Sequence, residues 1–145
     1  MAWFDRGVCF SCKGCGHCCS GEPGFVFLSD EEVDSISSYL DMKRDDFLTA
    51  FTRLIDRGSF YEVSLRERAD YSCVFLKDNR CEIYPVRPLQ CLTYPFWDYL
   101  MQDRALYENE KSECPGIGVG ECHNGDEIRE KLRLGREHKK LIVQK

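Results

Sequence analysis

The stretch Cys12-Lys13-Gly14-Cys15-Gly16-His17-Cys18-Cys19 decides how this chain is read. Two C-x-x-C turns overlap in it, and each brings a pair of thiols to one side of the backbone. Cys12, Cys15 and Cys18 therefore supply three ligands to one soft centre, with a fourth arriving from elsewhere in the chain. Cys19 follows Cys18 directly, and neighbouring side chains in extended backbone diverge. It is assigned to a second centre, or to a second metal of the same cluster. His17 lies inside the run and is a candidate auxiliary ligand.

Later cysteines bring the count to completion. Cys73, Cys81, Cys91 and Cys114 join the four of the run to make eight thiols, the number that two four-thiolate sites need. Bridging thiolates, or ligation by His17 or His123, would change that partition. Cys9 and Cys122 are read either as free or packed thiols or as auxiliary ligands, and Cys9 repeats the two-residue spacing before Cys12. The N-terminus lacks the charged-then-apolar order of a secretory signal, and no window approaches the ~20 apolar residues of a membrane span. The expectation is a cytoplasmic chain with no membrane partner. Thiols are kept reduced there, so 10 cysteines in 145 residues are explained better by metal ligation or redox chemistry than by disulfides.

A chain of this length buries about 70% of the surface its unfolded form exposes. With 43% hydrophobic residues, 9 Phe and 7 Tyr, it has the means for an ordinary core, to which metal is an addition. The net charge of −5 speaks against a protein that coats nucleic acid. The basic stretch from Arg129 to Lys145 is diluted by Glu130 and Glu137 into a solvated helix face, on which His138 is also placed.

The expected fold is a small single α+β domain over 1–145, with cysteine-rich metal-wrapped loops, a short β-hairpin and three to four helices. The first twenty residues read as loop. Phe25-Val26-Phe27-Leu28 suits a strand, and Ser29 with Glu32 forms a capping box before a helix over 30–40. Phe47, Phe51, Leu54 and Ile55 share an apolar stripe, which predicts a second helix over 43–56 ended by Gly58. A β stretch over 60–66 and a hairpin of 73–76 with 81–84, joined by Lys77 to Arg80, come next. Arg87-Pro88-Leu89-Gln90-Cys91 forms a shaped turn into a short helix. The segment 114–120 reads as a glycine-rich loop; lacking a Lys-Ser/Thr pair and a preceding strand, it is no phosphate cradle. Asn124 and Glu127 cap a last helix over 125–143 that turns Ile128, Leu132 and Ile142 inward.

The motifs together resemble the CxxCxxCC family of zinc- or iron-chelating cysteine-cluster proteins (YkgJ-like), also found as a domain in flagellin lysine N-methylases. Phe10-x-Cys12-x-x-Cys15-Gly16-x-Cys18-Cys19 matches its opening. Cys73-x-Phe75-Leu76, Cys81-x-Ile83-Tyr84, Arg87-Pro88-x-x-Cys91-x-x-Tyr94-Pro95-Phe96 and Cys114-Pro115-Gly116-x-Gly118 follow. The likeness covers about 10–120. One departure is Leu92, where relatives are expected to carry Arg directly after the cysteine. The resemblance implies metal binding and no settled reaction. Zn²⁺ with four thiolates and an oxidised cubane with four thiolates carry the same net charge, and Arg87 is the residue chosen to offset it from just outside the ligands.

Three functions are open at this stage. The first is a metal-binding protein with one or two Cys-ligated centres, serving electron transfer, metal or cluster handling, or a partner enzyme. An iron–sulfur cluster of the 4Fe-4S type is favoured because Cys12-x-x-Cys15-x-x-Cys18 with a remote Cys114-Pro115 follows ferredoxin usage; zinc stands close behind. The second is a cluster-dependent redox or methyl-transfer enzyme, although no catalytic residues are assigned. The third is a structural zinc module.

Overall fold

The computed structural model describes residues 2–11, 25–78, 80–112 and 114–145. A short 3-10 helix (Trp3–Arg6) precedes strand β1 (Val8–Phe10), which pairs antiparallel with β6 (Ile117–His123). Between them come α1 (Asp30–Tyr39), α2 (Arg44–Phe51), β2 (Thr52–Asp56), β3 (Phe60–Leu65), β4 (Leu76–Lys77), β5 (Arg80–Cys81), α3 (Leu89–Thr93), α4 (Asp98–Met101) and α5 (Arg104–Asn109). The chain closes with α6 (Gly125–Glu137) and β7 (Ile142–Gln144). The fold is α+β, as expected.

Among the described residues two apolar cores form. Phe4, Val8, Tyr94, Phe96, Leu100, Met101, Tyr107, Ile117, Ile128 and Leu132 make one, with Cys114 buried among them. Leu28, Val33, Ile36, Phe47, Val63, Leu65, Phe75 and Ile83 make the other, against which Cys73 and Cys81 pack. Helix α1 follows its sequence signals: Glu32 N donates to Ser29 Oγ at 3.2 Å, and Ser29 N donates to Glu32 Oε1 at 2.8 Å. Those reciprocal bonds satisfy donors that a helix start leaves open. Asn124 Oδ1 caps α6 with one bond, accepting from Glu127 N at 2.8 Å.

Several expectations give way to tertiary pairing. The second helix stops at Phe51, and Thr52 to Asp56 turn into a strand hydrogen-bonded along β3, so Leu54 is 51% exposed rather than part of an apolar stripe. Gly58, at φ 93°, sits in the hairpin turn after that strand instead of ending a helix. The last helix ends at Glu137; Ile142 pairs with Glu62 in β7 and is 48% exposed. The supposed N-terminal and glycine-rich loops meet as the β1–β6 ladder. Phe25 to Leu28 is extended but joins β3 only through a bridge at Phe27–Ser64. The hairpin of β4 and β5 is tighter than expected, because Lys77 and Arg80 pair with each other.

Gly116, just before β6, and Gly120 within it are explained by what lies on them. A Cβ at Gly116 would collide with the Ser11 carbonyl oxygen, and one at Gly120 with the Ser11 side chain. Gly118 and Gly120 also hold φ of 84° and 80°, a left-handed conformation that glycine adopts without steric cost. Gly116→Ala should lower stability by about 1–3 kcal/mol through overpacking. Gly120→Ala should be partly rescued by Ser11→Gly, whereas Gly116→Ala should not, because the obstacle there is backbone. Urea unfolding of the single and paired variants checks this.

Candidate metal centre

Each later cysteine is placed by local structure. Cys73 precedes β4 and bridges Glu67, and Cys81 lies in β5 opposite Leu76, so the hairpin carries both. Pro88 is fully buried, and its carbonyl accepts from Cys91 N at 2.9 Å; the shaped turn thus sets Cys91 in the middle of α3. Cys114 N donates to Glu110 O at 2.9 Å, and the side chain is only 5% exposed. Cys73, Cys81 and Cys91 are half-buried. All four offer soft sulfur donors, which suit zinc and iron–sulfur clusters better than hard cations.

Among the described residues no three His, Cys, Asp or Glu side chains converge closely enough to hold an ion. Cys73, Cys81, Cys91 and Cys114 do not make a site by themselves. Cys12, Cys15, His17, Cys18 and Cys19 lie outside the described residues.

Cys9 and Cys122, left open in sequence between thiols and auxiliary ligands, face each other across β1 and β6 and are joined as a disulfide. In that state neither sulfur is a thiolate donor. The preference for metal over disulfides thus fails for this pair, because strand pairing brings together residues 113 apart in sequence. His123 is held through both ring nitrogens, Nε2 at 3.1 Å from Phe10 O and Nδ1 at 3.3 Å from Glu127 Oε2, and its ring meets Phe96 edge-on. Arg87 Nε donates to Tyr84 O at 3.1 Å, and its guanidinium lies 3.7 Å from the Tyr84 ring centre. Leu92 is 49% exposed beside Cys91.

Tyr94 and Phe96 are core residues, 8% and 2% exposed, whereas Tyr84 is on the surface. Tyr107 is the aromatic next to a candidate ligand. Burial pushes its phenol up to about 12, and the charge of the Cys114 thiolate adds to that, against a smaller pull from the Gly118 backbone. It therefore stays a neutral donor, and its hydroxyl donates to Cys9 O at 3.3 Å. Sequence reasoning passed it over.

It also misplaced His138. The side chain is 13% exposed, and Nε2 lies 2.5 Å from Glu32 Oε1. The other Glu32 oxygen accepts from Leu89 N, the first residue of α3. The capping box pointed to Glu32, but a helix continued past residue 137 hid its partner. His138, Leu89, Gln90, Phe96 and Trp97 border a cleft of about 280 Å³ whose lining holds none of the candidate ligands.

With this geometry in place, the comparisons define the class. The chain belongs to the CxxCxxCC family, described as "Putative zinc- or iron-chelating domain", whose model matches residues 11–115. It is similar to uncharacterized protein MJ0661 of Methanocaldococcus jannaschii, 30% identical over 70% of this chain and 60% of that protein. It is also similar to uncharacterized protein MJ0939 of the same organism, 28% identical over 79% of this chain and 39% of that one. The chain thus spans less than two thirds of the length of either relative. No solved structure matches it. Among the described residues no helix is long and apolar enough to cross a membrane.

Burial pushes the Glu32 carboxyl up, but hydrogen bonds from His138, Leu89 N and Ser29 N, with the charge of His138, hold it below its ordinary 4.5. A depressed folded value means its stabilisation is present above 4.5 and lost as the pH falls through the lower folded value. Urea midpoints taken from about pH 6 to about pH 3 should drop in that window. Glu32→Gln should flatten the drop; an unchanged slope would count against the linkage.

Proposed function

We propose that this protein binds metal through the cysteine run, Cys12, Cys15, Cys18 and Cys19, completed by Cys73, Cys81, Cys91 and Cys114. The observation that carries this reading is the division of the cysteines. The family model matches residues 11–115, which hold all eight motif cysteines and exclude Cys9 and Cys122, the pair joined as a disulfide. The later four come from a hairpin, a short helix and a buried turn, which suits a centre that ties the two cores to the N-terminal segment.

An iron–sulfur cluster is the favoured group, on the ferredoxin-like spacing of Cys12, Cys15 and Cys18, and it would supply electron-transfer chemistry. Zinc is the second reading, supported by the family's description. The chain's own part is to hold thiolates in place and exclude water from them, with Arg87 offsetting their charge. Metal or cluster handling, or service to a partner enzyme, follows from the same site, and the site acts in the cytoplasm.

Protein purified without oxygen should carry iron and acid-labile sulfide in equal amounts and be brown, with a broad visible band. Colourless protein with stoichiometric zinc would replace the cluster by zinc. Cys91→Ser and Cys114→Ser should each cut the bound metal strongly. Full metal content in both variants would remove these residues from the site.

A further inference from the structure

Cys9 and Cys122 stand directly opposite each other in the β1–β6 pair with their sulfurs bonded. Their surroundings differ. Cys122 is exposed, whereas Cys9 is half-buried and its carbonyl is held by the Tyr107 hydroxyl. A nucleophile from solvent therefore meets the Cys122 sulfur first. Among the described residues the sheet around them has two strands, one of them rich in glycine, and such a pair by itself is marginal in water. The disulfide adds a covalent tie between β1 and β6 to the core packing of Val8 and Ile117, and β1 leads toward Cys12 within three residues of Cys9.

We propose that Cys9–Cys122 is a thiol–disulfide exchange site for low-molecular-weight monothiols, independent of which metal the other eight cysteines hold. An incoming thiolate attacks Cys122 Sγ, the Cys9–Cys122 bond breaks, and Cys9 leaves as a thiolate that takes a proton from water. A second thiolate attacks the incoming sulfur of the mixed disulfide and expels Cys122 as a thiolate. Two thiols are oxidised to one disulfide while the protein pair gains two electrons. Opening releases β1 from its covalent tie. The bond from Tyr107 keeps Cys9 within reach, so its thiolate can attack the mixed disulfide on Cys122 and close the pair again.

Reduced glutathione is the probe. The full chain, alkylated under native conditions and mapped by mass spectrometry, should show Cys9 and Cys122 unmodified before incubation and both modified after it. Cys9→Ser treated with oxidised glutathione should carry the adduct on Cys122. Hydrogen exchange across 8–11 and 117–123 should lose protection on reduction. Alkylation of both residues before any reductant, their release by a chelator alone, a pair that stays closed to glutathione, or unchanged protection after opening would each overturn the proposal. The wild-type measurements need no variant to fold, and none depends on metal content.

Discussion

One carboxylate joins three parts of this molecule. Glu32 closes the capping box of α1, accepts from the first amide of α3, and meets His138 just beyond α6. Each bond satisfies a donor that helix geometry leaves open or that burial would otherwise penalise. The α3 that carries Cys91 is thereby fixed against the first helix and the C-terminal arm. Removing the carboxylate would leave several partly buried donors unsatisfied at once.

Much of the scaffold was legible because its signals are local. Ser29 with Glu32, Asn124 with Glu127, and the Arg87-Pro88 turn each carry their structure within a few residues. Leu54 and Ile55 misled for a physical reason: they complete a helical stripe on paper, and only pairing with β3 makes them strand. Ile142 misled in the same way. Gly116 and Gly120 looked like loop because nothing in the sequence says that Ser11 will lie against them.

The candidate site was legible in kind more than in arrangement. Soft ligands at motif spacing point to a metal without any geometry, whereas the pairing of Cys9 with Cys122 depends on a strand register that no spacing rule contains. Tyr107 was missed because an aromatic in a short, mostly polar helix carries no mark of the thiol or carbonyl beside it. The loop closed by the disulfide contains all eight motif cysteines, so the two chemistries share one part of the fold.

The central claim is that the eight motif cysteines converge on metal. X-ray absorption at the edge of the metal that copurifies with the full chain tests it most directly. The account predicts a first coordination shell of sulfur, at about 2.3 Å for thiolate ligands. A shell of nitrogen and oxygen, or a chain with all eight thiols intact and no stoichiometric metal, would contradict it.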